Sequence, residues 1–220
     1  MDYTPFLITF KLAFLTTIIL LIIGIPLAYM IAMKKWKGKV IVESLLLLPI
    51  VLPPTVLGFY FLTFFGKNSA VGSFLYENLN IELAFTFQGI LLGSIIFCIP
   101  FMLSPMIAGF REIPKNIIES TLILKKSRWS ALTKVFLPYI KKSVWTSVLL
   151  TFSHTIGEFG VVLMIGGKME STKVASVAIY DQMNRSNLDL AHTYAIILLA
   201  ISFILILTLN IISKNKKNIA

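Results

Sequence analysis

An all-α, polytopic membrane helical bundle with about five transmembrane helices is the fold class this sequence predicts, and three observations predict it. The 220 residues are 57% hydrophobic with a mean hydropathy of +0.86, far from the composition of a soluble domain. Five apolar runs, near 6–33, 45–65, 84–110, 143–166 and 190–213, are each long enough to cross a hydrocarbon core of roughly 30 Å, which takes about 20 helical residues. Basic residues gather on alternate connections. Lys34, Lys35, Lys37 and Lys39 follow the first run; Arg111, Lys115, Lys125, Lys126, Arg128, Lys134, Lys141 and Lys142 lie between the third and fourth; Lys214, Lys216 and Lys217 close the chain. The opposite side holds only Lys67, Lys168, Lys173 and Arg185. The positive-inside bias then places the N-terminus outside and the C-terminus in the cytoplasm of a multi-pass cell-membrane protein. The net charge of +10 reports this topology rather than nucleic-acid binding. Trp36, Trp129 and Trp145 fall at the cytoplasmic boundary, where amphipathic rings anchor.

The first run begins after Met1-Asp2-Tyr3 and places its lysines behind it. It is also too long for the apolar core of a cleavable signal, so it is expected to remain as a span. Lys11 within it is expected to snorkel to the outer interface. The second run carries Pro49, Pro53 and Pro54. Each removes a backbone donor and clashes with the preceding turn, so this helix must kink or unwind. Backbone exposed at membrane depth is tolerated only against protein or water. Pro53, Pro54 and Thr55 are therefore candidates for a pathway or gate, set against a kink that merely serves packing.

The third run offers Gly89-x3-Gly93, a small-residue pattern suited to close helix approach and to a subunit contact, and Pro100 and Pro105 predict a kink further along. Cys98 is the only cysteine, which rules out a disulfide within the chain and disfavours a Cys-based metal site.

Between the third and fourth runs, residues 111–142 predict a helical hairpin. Pro114 opens a first helix, Lys125-Lys126-Ser127 breaks it, and a second amphipathic helix is expected from Arg128 to Phe136, stopping at Leu137-Pro138. A polar hairpin of this size is too large for a plain connector and reads as a docking surface for a cytosolic partner.

In the fourth run Glu158 lies at membrane depth, where a carboxylate is expensive and usually faces a cavity or a partner. His154, four residues earlier, is expected on the same helical face and within hydrogen-bonding reach. Gly157 and Gly160 would let the helix bend or a neighbour approach. These four residues complete the pathway or gate candidates, against the reading of a paired structural polar group. A zinc reading of His-x3-Glu has only two ligands. Residues 171–189 place Val174, Val177, Ala178 and Asp181 at helical spacing, as in a short outer helix that contacts a partner, caps the pore, or lies on the membrane as a connector. The connections are short, so residues 1–220 read as one membrane domain, without internal repeat.

The hairpin resembles the cytoplasmic Glu-Ala-Ala loop of ABC-importer permeases. Glu119 stands at the Glu, Ser120 and Thr121 replace the alanines, Lys125 stands at the Gly, and Val135-Phe136-Leu137-Pro138 close the motif. Lys125 departs from a position where a left-handed turn favours glycine. The stretch 48–60 (Leu-Pro-Ile-Val-Leu-Pro-Pro-Thr-Val-Leu-Gly-Phe-Tyr), Gly157-Glu158-Phe159-Gly160 and Ala178-Ile179-Tyr180-Asp181 are similar to the molybdate ABC-importer permease family, with sulfate and tungstate permeases as relatives. That resemblance implies Tyr180 and Asp181 as outer-segment candidates. It also implies a homodimer, two cytosolic ATPase subunits carrying ATP and Mg, an extracytoplasmic oxyanion-binding protein and alternating access.

No energy source is expected in this chain itself. Gly166-Gly167-Lys168-Met169 lacks the first glycine and the hydroxyl residue of a phosphate-binding loop. No nucleophile–base set or metal constellation is visible, so the chain reads as a transport subunit rather than an enzyme, and no cofactor is expected on it. A secondary transporter using Glu158 and His154 as a proton relay is the alternative of a different class, although five spans without an inverted repeat fit it poorly.

Overall fold

The computed structural model describes residues 2–34, 36–124 and 127–214. These residues form helices α1 (Thr4–Met33), α2 (Lys39–Val51), α3 (Pro54–Phe65), α4 (Ala70–Leu79), α5 (Phe87–Arg111), α6 (Lys115–Ile123), α7 (Arg128–Ala131), α8 (Leu137–Tyr139), α9 (Lys141–Gly157), α10 (Gly160–Gly166), α11 (Ala175–Asn184) and α12 (Leu188–Lys214). Three of them, α1, α5 and α12, are long and apolar enough to cross a membrane alone. Two bent pairs bring the number to as many as five: α2 with α3 at 111° and α9 with α10 at 58°.

Proline chemistry accounts for the first break. Leu52 and Pro53 are extended, and Pro54 opens α3, where a missing N–H costs nothing and a fixed φ is helical already. Proline in the middle of a long helix acts differently. Pro26 in α1 and Pro100 and Pro105 in α5 sit inside helices that run on without interruption, because packed neighbours on both sides hold the turns together. The third span is therefore one helix and not a broken one.

Three apolar clusters organise the bundle. At one end Met102, Met106, Phe110, Phe136 and Ile140 pack with Tyr29 of α1, whose ring lies 5.7 Å from Phe110 and 6.0 Å from Phe136. A middle cluster joins Leu12, Phe61, Ile90, Val161 and Ile165. At the other end Phe6, Ala175, Ala178 and Tyr194 meet. The hairpin and α11 thus sit at opposite ends of α1, as the alternation of basic connections requires.

Three sequence expectations need correction. The second hairpin helix does not stop at Leu137-Pro138. It passes through a wide π-helical turn at Leu132–Phe136, where Leu137 N–H bonds to the Leu132 carbonyl, and ends at Ile140. The wide turn makes room for the Pro138 ring, which would otherwise clash with the carbonyl four residues back. The Gly89-x3-Gly93 pattern is spent inside the chain: a Cβ at Gly93 would run into Ile165 and Val161 of α10, and one at Gly89 into Leu83 and Ile165. Residues 171–189 do not lie on the membrane as a simple connector, since Val174, Val177, Ala178 and Asp181 are buried against the bundle.

Within the hairpin, Ser127 caps α7 by accepting from the Ser130 N–H at 3.2 Å. Glu119 and Ser120 are exposed on α6, whereas Thr121 is buried and donates to the Ile118 carbonyl at 2.7 Å. Leu137 packs into the apolar cluster beneath and Pro138 is exposed. Lys125, with Lys35, Lys126, Lys216 and Lys217, lies outside the described residues. Arg111, at the foot of the hairpin, bonds to Glu43 on α2, which also pairs with Lys39 at 3.9 Å.

Candidate translocation site

The two broken spans meet at their breaks. A cavity of about 450 Å³ is lined by Pro54 and Thr55 from the start of α3, by Phe97 from α5, and by His154, Gly157, Glu158, Phe159 and Gly160 around the second break. This volume lies within the range of small-ligand sites. Pro54, Thr55, His154, Gly157, Glu158 and Gly160, scattered over more than a hundred positions of sequence, share this one space. Pro53 is the extended residue immediately before it.

Close packing of backbones explains why the breaks face each other. A Cβ at Gly160 would fall 2.8 Å from the Pro54 Cβ, and one at Gly58 would meet the Met164 side chain. Only glycine lets α3 and α10 approach this far. Gly157 differs, because a Cβ there would meet nothing within 4 Å.

His154 and Glu158 do not form the expected pair. α9 ends at Gly157 and Glu158 is extended, with φ −66° and ψ 129°, so the four-residue helical spacing is lost before it can bring the side chains together. His154 instead stacks on Phe101, with centroids 3.9 Å apart, and lies 5.2 Å from the Phe97 ring. Glu158 is 4% exposed, and neither carboxylate oxygen has a hydrogen-bond partner among the described residues. Ser94 lies beside the carboxyl, outside hydrogen-bonding geometry. The side chain is thus buried in the wall of the cavity it lines, without a partner there among the described residues.

Sequence reasoning missed several residues here. Phe97 and Phe159 line the cavity, but an aromatic in an apolar run carries no signal. Thr155 hydrogen-bonds Cys98 at 3.3 Å, joining α9 to α5. Ser176 donates to the Glu158 backbone carbonyl at 2.6 Å and so ties α11 to the second break. At the α11 end of the bundle Asp181 pairs with Arg185 at 3.1 Å, Lys168 at 3.3 Å and Lys173 at 3.4 Å. Burial pushes its pKa up, but the bonds from Lys168 and Lys173 and the charge of Arg185 outweigh burial and hold it below the usual carboxylate value. Tyr180 packs edge-on against Phe159, centroids 5.3 Å apart. Lys11 is exposed, and its Nζ lies 4.6 Å above the Phe87 ring. No group of three His, Cys, Asp or Glu side chains among the described residues could hold a metal ion.

A bundle of membrane-crossing helices with two breaks closing on one cavity, and a helical hairpin projecting at one end, is the architecture of a transport permease. Residues 21–215 match the family described as the binding-protein-dependent transport system inner membrane component, and the chain belongs to that family. The molybdenum transport system permease protein ModB of Azotobacter vinelandii is 35% identical over 210 residues, covering 94% of this chain and 92% of ModB. The sulfate transport system permease protein CysT of Escherichia coli K12 is 27% identical, covering 92% of this chain and 73% of CysT. A bacterial alginate ABC transporter, solved with a pentasaccharide-bound periplasmic protein, contains a chain of the same fold. Its TM-score is 0.79 at 19% identity, covering 96% of this chain and 78% of that one. This chain is accordingly a membrane permease component of an ABC importer and not itself an enzyme.

Proposed function

We propose that this chain forms the translocation pathway of an ATP-driven molybdate importer, with tungstate as a second substrate. The observation that carries this reading is the cavity between the two helix breaks, in a chain 35% identical to a molybdenum permease along nearly its whole length. A second copy of the chain completes the pathway, since one bundle encloses little volume. Two cytosolic ATPase subunits supply ATP and Mg and seat on the hairpin at Glu119, Ser120, Thr121, Lys125, Leu137 and Pro138. An extracytoplasmic oxyanion-binding protein delivers substrate at the end where α11, with Tyr180 and Asp181, lies. The N-terminus is outside and the C-terminus cytoplasmic, and residues 1–220 act as one membrane domain.

Alternating access follows mechanically. ATP closes the ATPases, the hairpins move, and α9 carries that motion from the hairpin to the second break. The cavity residues Pro54, Thr55, His154, Gly157, Glu158 and Gly160, with Pro53 just before them, then form the gate. Among the described residues the cavity lining offers an oxyanion no Lys or Arg, as suits a low-affinity conduit whose selectivity resides in the binding protein.

Uptake of labelled molybdate at nanomolar concentration, in cells with and without this gene, tests the reading. Gene-dependent uptake blocked by excess tungstate but not by sulfate is the expected result. Full competition by sulfate would favour a sulfate importer, the second reading that the similarity to CysT supports.

A further inference from the structure

The second break is held firmly on one side and loosely on the other. On the α10 side, Ser176 Oγ donates to the Glu158 carbonyl at 2.6 Å and the Tyr180 ring backs Phe159. Thr172 Oγ1 donates to the Gly166 carbonyl at 2.6 Å, and Asp181 pairs with Lys168 just beyond α10. The same segment is fastened to α1, because the Ala175 N–H donates to Thr9 Oγ1 at 2.8 Å. Both ends of α10 thus belong to a frame built from α1 and α11. On the α9 side the chain is open at Gly157 itself, the nearest tie being that of Thr155 to Cys98 of α5 two residues back. Gly157 is exposed, a Cβ there would touch nothing, and the Glu158 N–H reaches only the Thr155 carbonyl at 3.3 Å.

We infer that Gly157 is the joint at which α9 turns against α10 and α11, and that Ser176 is the positioning residue that holds the Glu158–Phe159 turn to α11 at the cavity wall. The inference rests on the reading of that cavity as the pathway. Motion entering from the hairpin travels along α9, which begins directly after it, and bends the chain at the least restrained residue. Because Ser176 keeps the far side still, the displacement falls on the wall of the cavity instead of spreading through α10. Small residues are common at such hinges because they absorb backbone rotation without side-chain collision.

The test reads the turn directly, without substrate. In permease purified and reconstituted in proteoliposomes, the labelling rate of Ile156→Cys, a position 1% exposed beside the joint, by a maleimide is measured with Ser176 intact, with Ser176→Ala and with Ser176→Thr. Cys98 is fully buried and leaves a low background. Losing the hydroxyl donor should raise the rate by about three- to tenfold, the effect of one hydrogen bond on the opening equilibrium, and Thr should restore it. Tyr180→Ala, which removes the ring behind Phe159 and leaves the hydroxyl in place, should shift the rate the same way. Unchanged labelling in Ser176→Ala and Tyr180→Ala overturns the proposal. Loss of assembly on size-exclusion in place of a labelling change also overturns it, since both residues would then serve packing alone. A labelling response with no gene-dependent molybdate uptake would count against the pathway reading and leave the hinge standing.

Discussion

Gly160 and Pro54 touch across the two broken spans so closely that a Cβ at position 160 would lie 2.8 Å from the proline Cβ. The proline ring is rigid and opens α3, so it cannot step aside as a flexible side chain would. Gly160→Ala should therefore push α10 away from α3, at a cost of about 1–3 kcal/mol for overpacking. The expected result is a lowered melting temperature in detergent and uptake reduced about tenfold or more. Gly157→Ala has room for its methyl in this conformation and should leave the melting temperature nearly unchanged. Equal melting losses for the two variants would contradict the packing described.

Glu158→Gln is expected to preserve assembly and to keep uptake within about twofold. The carboxyl has no ion pair or hydrogen bond to lose among the described residues, and the amide keeps its shape. Glu158→Lys, with a longer charged chain in the same buried space, should abolish folding or transport, since an unpaired buried charge is strongly unfavourable. Loss of transport in the Gln variant, with folding and assembly intact, would instead mark an ionised gate.

Asp181 links α10's exit to α11 through Lys168 and Lys173 and also pairs with Arg185 at the end of α11, and its pKa is held below the ordinary carboxylate value. A depressed folded-state pKa stabilises above the unfolded value, and that stability is lost as pH falls through the folded one. Asp181→Asn should thus lower the melting temperature at neutral pH. The partners are partly exposed, so the loss is modest, about 1 kcal/mol. The gap between variant and parent should stay constant down to about pH 4 and close below it. A gap that widened on acidification would refute the assignment.

Glu119 stands exposed on α6, clear of the apolar face that seats the hairpin. Glu119→Arg should leave membrane insertion and thermal stability within about 0.5 kcal/mol of the parent while weakening co-purification of the ATPase subunit. Normal pull-down together with normal uptake would remove the docking role.

The parts of this architecture legible in the sequence are those with strong local causes. Apolar length marks the spans, lysine placement marks their order, and the prolines at 49–54 mark the first break. The second break was only half visible. Gly157 and Gly160 permit a bend, but the loss of helix at Glu158 is fixed by contacts from α3 and α11, which no local pattern reports. The His154–Glu158 pairing failed for that reason, since a four-residue spacing argues proximity only while the helix lasts. Ser176 was invisible because its partner is a backbone carbonyl 18 residues away. The hairpin's first helix followed from Pro114 and its polar composition, while Pro138 was read as a stop although a wide π-helical turn before it lets the helix pass.

The central claim is that substrate passes between the two breaks, and Thr55 lies at the point where it would pass. The most direct measurement is the labelling of Thr55→Cys by a membrane-impermeant anionic thiol reagent, in the transporter assembled with its ATPase, with and without molybdate. The account predicts that the thiol reacts in one nucleotide state and not the other, and that molybdate, but not chloride at equal ionic strength, slows the reaction. A thiol that reacts equally in every state, or that molybdate never protects, would contradict it.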